Sequence, residues 1–263
     1  MKRILDVLFW TGLAAYYLTA MNFVSLCRRE KICTSIEVKV LDSARIHFIT
    51  PDDILRLVNA SRLKLRGNAM DSINTATVEA QLLEVQPVHH AEAYKTFDGT
   101  VHIDIKQRIP LLRIINRFGE SYYIDETGYV MKHNRRYSVH VLAANGHIDQ
   151  RAPSQKGFGV QDLRIPDGKR NIIRELFDLA EWINNSRFWN AQIQQIYVNE
   201  HGEFEMIPRV GSQIIIFGKG DHIREKFDKL EALYRNGFNV TGWNKYGVIN
   251  LKYEGQIVCT KRD

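Results

Sequence analysis

From Val7 to Cys27 the chain carries no charged residue. An α-helix of about 20 apolar residues is what it takes to cross the hydrocarbon core of a bilayer. This stretch therefore reserves the start of the chain for a membrane anchor and leaves the residues beyond position 31 to fold in water. Val7, Trp10, Leu13, Tyr17, Phe23 and Cys27 are predicted to lie on that anchor. Trp10 is near an end, where an interfacial ring belongs, and Asp6 falls at the polar boundary. A cleaved signal peptide fits less well, because the run exceeds an h-region of roughly 7–15 residues and no A-x-A site follows it. Lys2 and Arg3 precede the run and Arg28, Arg29 and Lys31 follow it, so charge counting does not decide orientation. A short stub before a large C-terminal region predicts the N-terminus inside and the rest outside the cytoplasmic membrane.

The 263 residues, 44% hydrophobic and 25% charged, suit two small folded domains beyond the anchor. The formal charge of +6 is spread by Lys and Arg interleaved with Asp and Glu, which argues against nucleic acid and for a mildly basic surface near anionic lipid. Three cysteines, Cys27, Cys33 and Cys259, form no C-x-x-C pair, so neither a disulfide framework nor a thiolate metal site is predicted. Cys33 and Cys259 sit at opposite ends of the folded region and are not expected to pair.

The first module spans about residues 34–110. Ile36, Val38 and Val40 alternate with Glu37 and Lys39, the period of a half-buried strand. Thr50-Pro51-Asp52-Asp53 then carries a cap, a proline suited to the first helical position, and two carboxylates at the positive helix end. Ile54, Leu57 and Val58 share that helix's face. Asn74 caps a second helix, with Ile73 and Val78 placed as a hydrophobic staple and Pro87 ending its apolar face. Strands follow at about 89–94 and 100–107, joined through Asp98-Gly99, with Val101, Ile103 and Ile105 on the buried side. The order is β-α-α-β-β.

The second module spans about residues 111–263. Strands are predicted at 122–125 and 128–131 around Glu126-Thr127, and the polar, Gly- and Pro-containing stretch 144–168 reads as loops. A helix over about 169–186 gathers Ile172, Ile173, Leu176, Leu179, Ala180 and Ile183 on one face. Strands at 194–199, 203–208 and 213–217 lead to a helix capped by Asp221 and stopped by Gly237, with Ile223, Phe227, Leu230 and Tyr234 aligned. A closing hairpin is predicted from 247–253 and 256–260 across Glu254-Gly255. The whole is an α+β chain: one N-terminal transmembrane helix, a β-α-α-β-β domain, and a mixed α/β domain ending in a strand hairpin.

No nucleophile elbow, zinc-protease motif, P-loop or dinucleotide fingerprint occurs, which argues against an enzyme and against a bound cofactor. His89 and His90 are adjacent on a strand and point to opposite faces, a poor chelate. Asp125 and Glu126 read as turn carboxylates bonded to backbone or solvent. Trp182, Phe188 and Trp189 read as core aromatics.

Three phrases carry a resemblance. Pro87-Val88, then Thr100-Val101-His102-Ile103-Asp104-Ile105 and Gln107-Arg108-Ile109-Pro110 resemble a P-x-V, alternating strand, E-R-x-P pattern, with Gln107 in place of the acid. Residues 122–131 resemble an x-x-V-D-x-x-G-x-V segment, and Val248-Ile249-Asn250-Leu251-Lys252-Tyr253 a closing V-D-L-R-Y phrase with Asn250 and Lys252 substituted. Behind a membrane anchor this order is similar to the FtsQ/DivIB cell-division family, whose first extracytoplasmic module is a POTRA domain. The resemblance implies residues 1–31 as stub and anchor, 34–110 as POTRA domain and 111–263 as the FtsQ-type β domain. It implies a non-catalytic divisome scaffold at the septum, binding FtsB-like and FtsL-like proteins, with other divisome components on the POTRA domain. Two other classes are a POTRA-bearing secretion or outer-membrane assembly factor, for which no room remains for a transmembrane barrel, and an anchored periplasmic enzyme.

A last strand at the end of a sheet leaves one row of backbone groups open for an added strand. The predicted partner site is accordingly Tyr253, Gly255, Gln256, Ile257, Val258, Cys259 and Thr260. The family resemblance points to the same edge, since strand addition there is associated with the Tyr after D-L-R, here Tyr253. The chain departs from that pattern in having no aromatic residue after Tyr253.

Overall fold

The computed structural model describes residues 9–21, 31–44, 46–60, 65–133, 137–164, 168–243 and 245–262. The chain divides into two compact units, Met1–Gln107 and Arg108–Asp263.

In the first unit residues 9–21 are helical (α1) and expose Phe9, Trp10, Leu13, Tyr16 and Tyr17. No helix of the described residues is long and apolar enough to cross a membrane. Of the predicted anchor residues, Val7, Phe23 and Cys27 lie outside the described residues.

Beyond α1 come β1 (Ser35–Val40), α2 (Pro51–Ala60), α3 (Thr75–Leu83), β2 (Val88–Lys95) and β3 (Thr100–Gln107). The three strands form one sheet in the order β1-β3-β2, with β1 parallel and β2 antiparallel to β3. The predicted caps are present. Asp53 N donates to Thr50 Oγ1 (3.2 Å) while Thr50 N donates to Asp53 Oδ2 (3.1 Å), a reciprocal box, and Asn74 Oδ1 accepts from Thr77 N (3.3 Å). Val101, Ile103 and Ile105 are fully enclosed, and Ile54 and Val58 of α2 and Val78 and Leu82 of α3 are buried as well. Both His89 and His90 are exposed, beside a register shift at the start of β2.

Gln107, which stands where the resembled phrase carries an acid, is 2% exposed. Its Oε1 accepts from Ile49 N (2.9 Å), and its Nε2 donates to Ile46 O (2.7 Å) and Asp42 Oδ1 (3.2 Å). An amide is the group this position needs, because a carboxylate would face the Asp42 carboxylate and a carbonyl with no proton to offer either.

The second unit is built on a ten-stranded sheet in the order β13-β12-β11-β10-β9-β7-β4-β5-β6-β8. Its strands are β4 (Pro110–Ile115), β5 (Ser121–Asp125), β6 (Tyr129–Lys132), β7 (Leu142–Gly146), β8 (Phe158–Gly159), β9 (Ile193–Val198), β10 (Phe204–Pro208), β11 (Ile214–Gly218), β12 (Tyr246–Asn250) and β13 (Val258–Lys261). Its helices are α4 (Ile172–Asn185), α5 (Arg187–Gln192), α6 (Ile223–Ala232) and α7 (Phe238–Thr241). The pairs β4–β7, β7–β9 and β11–β12 are parallel and the other neighbours antiparallel, and α4 and α6 lie in the connections from β8 to β9 and from β11 to β12. The helix faces predicted for α4 and α6 close one core with Leu112, Ile114, Tyr122, Ile196, Phe204, Phe217 and Ile249. Trp189 belongs to it, 3% exposed, 5.0 Å from the Phe227 ring and 5.5 Å from Tyr234. Phe188 packs against the core, and Trp182 is exposed at its edge.

Five readings need correction. Residues 144–168 are not all loop: the stretch contains the end of β7, the short β8 and a 3-10 turn over Val160–Asp162. β4 directly follows the first unit's last strand, where no separate strand was predicted. Asp221 does not cap α6; that position falls to His222, in a left-handed conformation (φ 48°), while Asp221 Oδ1 accepts from Lys226 Nζ (2.6 Å). Gly237 does not stop the helix, which passes through a π turn (Leu233–Gly237) into α7 and ends at Gly242 with φ 87°. Glu254-Gly255 is not a two-residue turn, since Asn250 pairs with Val258 and residues 251–257 lie between the strands.

Gln107→Glu is expected to lose two donated bonds and place a carboxylate beside Asp42, costing about 2 kcal/mol or more. Thermal melts of the full chain at pH 7 should show the first unit's transition lowered by roughly 10 °C, given about 4–8 °C per kcal/mol for a small domain. An unchanged transition would contradict the amide network.

Candidate functional site

β13 ends the sheet, and among the described residues no strand lies on its outer side. Its inner side pairs with β12: Val258 opposite Asn250, Cys259 opposite Ile249, Thr260 opposite Val248 and, after a register shift, Lys261 opposite Tyr246. Val258 is 43% exposed, Thr260 and Lys261 are exposed, and Cys259 is half-buried against the core. Burial raises the Cys259 thiol pKa, which leaves it a poor nucleophile near neutrality. Cys33 and Cys259 both carry free thiols.

The segment between β12 and β13 leaves the ladder at Leu251. That side chain is buried, and its N–H donates to Ile216 O (2.9 Å) on β11 and not across to β13. Lys252 Nζ bonds both carboxylate oxygens of Glu203 (2.8 and 2.9 Å), which pins the base of the segment to the β9–β10 turn. Tyr253 then stands 49% exposed, its carbonyl accepting from Lys229 Nζ of α6 (2.7 Å). Gly255 takes a positive φ of 66°, Gln256 is exposed, and Ile257 turns back to pack against the core.

A cleft of about 240 Å³ opens beside Tyr253, lined by His222, Glu225, Lys226 and Lys229 of α6 and its start and by Lys252 and Glu254 of the segment. Its cations are already engaged: Lys226 with Asp221 and Lys219 O, Lys229 with Glu225 and Tyr253 O, Lys252 with Glu203. The cleft is therefore a shaped, internally neutralised recess formed by α6 and the segment that leads into β13. Of the predicted site residues, Val258, Cys259 and Thr260 lie on the edge strand, whereas Tyr253, Gly255, Gln256 and Ile257 lie in the segment before it. The α6 wall was not anticipated, since Lys229 and Tyr253 are 24 positions apart and no local pattern joins them.

Asp125, the other conspicuous carboxylate, is 1% exposed and fully committed to structure. Its Oδ1 accepts from Thr127 N (2.8 Å), Thr127 Oγ1 (2.6 Å) and Tyr129 N (2.8 Å), and its Oδ2 from Arg108 (2.8 Å). Among the described residues no cluster of His, Cys, Asp or Glu could hold a metal ion.

The chain is thus a small β-α-α-β-β unit followed by a helix-backed sheet with an open terminal strand. The POTRA-like domain family matches residues 31–106, and the family described as FtsQ/DivIB, C-terminal related, matches residues 109–260, more than half of the 263-residue chain. The chain belongs to the FtsQ/DivIB family. No curated protein matches it.

The Glu203 carboxyl is held below the usual range by its bond from Lys252, which outweighs the opposing effect of burial. A depressed folded pKa contributes stability above the unfolded value, near 4.5, and loses it as pH falls through the folded one. Glu203→Gln should therefore melt below wild type at pH 7 and converge with it toward pH 3, with faster amide exchange across 251–257 at pH 7. A gap that persists in acid would show that the ion pair is not its source.

Proposed function

We propose that this protein is a non-catalytic divisome scaffold, anchored in the cytoplasmic membrane with residues 34–110 as its POTRA domain and 111–263 as its β domain outside. The family match supports a role in cell division through divisome contacts. The uncharged run from Val7 to Cys27 supports the anchor in residues 1–31. The single observation that carries the binding mode is the open β13 edge, with Val258 exposed on it and Tyr253 beside it.

A segment of an FtsB-like partner adds a strand to β13, and its side chains reach Val258, Thr260, Tyr253 and the neighbouring cleft. Ile257 and Cys259 support the edge from the core side, and Gly255 and Gln256 shape the approach. An FtsL-like protein joins through the same assembly, and the POTRA domain is left for other divisome components. Lipid is met through the anchor; no cofactor or nucleic acid takes part.

A full-length fluorescent fusion is expected to concentrate at midcell; uniform membrane signal would favour a secretion factor or anchored enzyme. Tyr253→Ala combined with Lys261→Pro removes the exposed ring and an outward-facing donor of the edge strand. Partner binding should weaken at least tenfold, about 1.4 kcal/mol, with the fold retained. Wild-type affinity in a folded variant would reject the edge as the site.

A further inference from the structure

We propose that the tip of the β2–β3 hairpin rests on an anionic lipid surface, beside the point where the chain emerges from its anchor; this rests on the anchor proposed under the function. Phe97, at the tip, is 75% exposed, and Ile32 is 54% exposed. The segment that carries Ile32, residues 31–34, is stitched to the tip. Lys31 Nζ donates to Phe97 O, and Thr34 N donates to Gly99 O (2.9 Å). On the other flank Met70 N donates to Lys31 O (2.8 Å) and Cys33 N to Asn68 O (2.8 Å). The approach is close enough that a Cβ at Gly99, where φ is 89°, would lie 2.9 Å from Ile32 O. Lys31, Met70, Asp71, Lys95, Thr96 and Phe97 line a recess of about 270 Å³ at this end.

The length of chain selects the occupant. Four residue steps separate Cys27, the end of the uncharged run, from Lys31. They span at most about 14 Å, so Lys31 and the tip bonded to it stay within reach of the headgroup layer. An exposed aromatic beside lysines at that depth has the composition of an interfacial anchor, its ring among acyl chains and its cations at phosphates. In the sequence, Arg28, Arg29 and Lys31 follow the uncharged run with Glu30 as the sole acid among them, a positive balance at headgroup depth that favours anionic over neutral lipid. Held by both α1 and the tip, the first unit would stand at a fixed height and tilt on the membrane.

The test uses the full chain with Cys27→Ser and Cys259→Ser, keeping Cys33, which is 1% exposed and shielded from label. An environment-sensitive fluorophore is placed on Phe97→Cys, Leu13→Cys or Glu254→Cys, and the protein is reconstituted in phosphatidylethanolamine–phosphatidylglycerol vesicles carrying nitroxide lipids. Emission from position 97 should fall by about half with shallow nitroxides, position 13 should be quenched by deep ones, and position 254 should be unaffected. Position 97 behaving like 254 while 13 is quenched would overturn the inference and leave the anchor standing. A quenched 97 with an unquenched 13 would overturn the anchor alone, and neither quenched would overturn both.

Discussion

The carboxylate of Asp125 lies enclosed at the turn between β5 and β6, where an ion survives only if its lost hydration is replaced. The replacement is local and complete at both oxygens: two backbone amides and a hydroxyl on one, the Arg108 guanidinium on the other. That guanidinium also lies 3.7 Å above the Tyr129 ring, so the cation is held between a charge and a π face. Glu126 N completes the tie by donating to Ile109 O (3.0 Å). Arg108 and Ile109 immediately precede β4, and β4 is the strand from which the sheet extends both ways, to β5-β6-β8 and to β7-β9 and beyond. The register of the second unit thus begins at one buried ion pair. The two phrases at 107–110 and 122–131, separate in the chain, are halves of this one device.

Much of the fold was legible wherever a local rule had no competitor. The alternation in β3, the caps at Thr50 and Asn74, and the single apolar faces of α4 and α6 each follow from a period or a side-chain donor that tertiary contacts only reinforce. The misses share a different cause. β7, Leu-Ala-Ala-Asn-Gly, is an interior strand with parallel neighbours on both sides, so it shows no polar alternation and its small residues look like loop. At α6 the buried Lys226 takes the Asp221 carboxylate that a capping rule would assign to backbone, and the chain turns instead through His222 at positive φ. The π turn keeps Tyr234 and Phe238 both buried and carries the helix past Gly237.

The candidate site was legible as an edge and not as a shape. Glu254-Gly255 satisfies a hairpin rule locally, but β12 stops pairing with β13 at Asn250, and Leu251 is buried. Residues 251–257 thus lie outside the ladder, with the Tyr253 carbonyl held by Lys229 of α6. No pattern in the sequence weighs a burial against a turn, so the displacement of Tyr253 from strand to segment could not be read in advance.

The two ends of the ten-stranded sheet are treated differently. β8 closes one end with two residues, too short to template another strand, while β13 presents four at the other. Four residues expose only about two outward-facing donor–acceptor sets, and at roughly 0.5–1.5 kcal/mol net per bond these supply a few kcal/mol, less than the cost of ordering an incoming segment. In the proposed binding mode, backbone addition alone would therefore set direction and register without holding a partner. Holding must come from side chains adjoining the edge, and the surface offers Val258 on the strand with the Tyr253 ring and its cleft beside it. Because Lys226, Lys229 and Lys252 are neutralised within the chain, the cleft selects by fit more than by charge. Under the proposed strand addition, a partner suited to this edge is one whose added strand continues directly into an apolar or aromatic anchor.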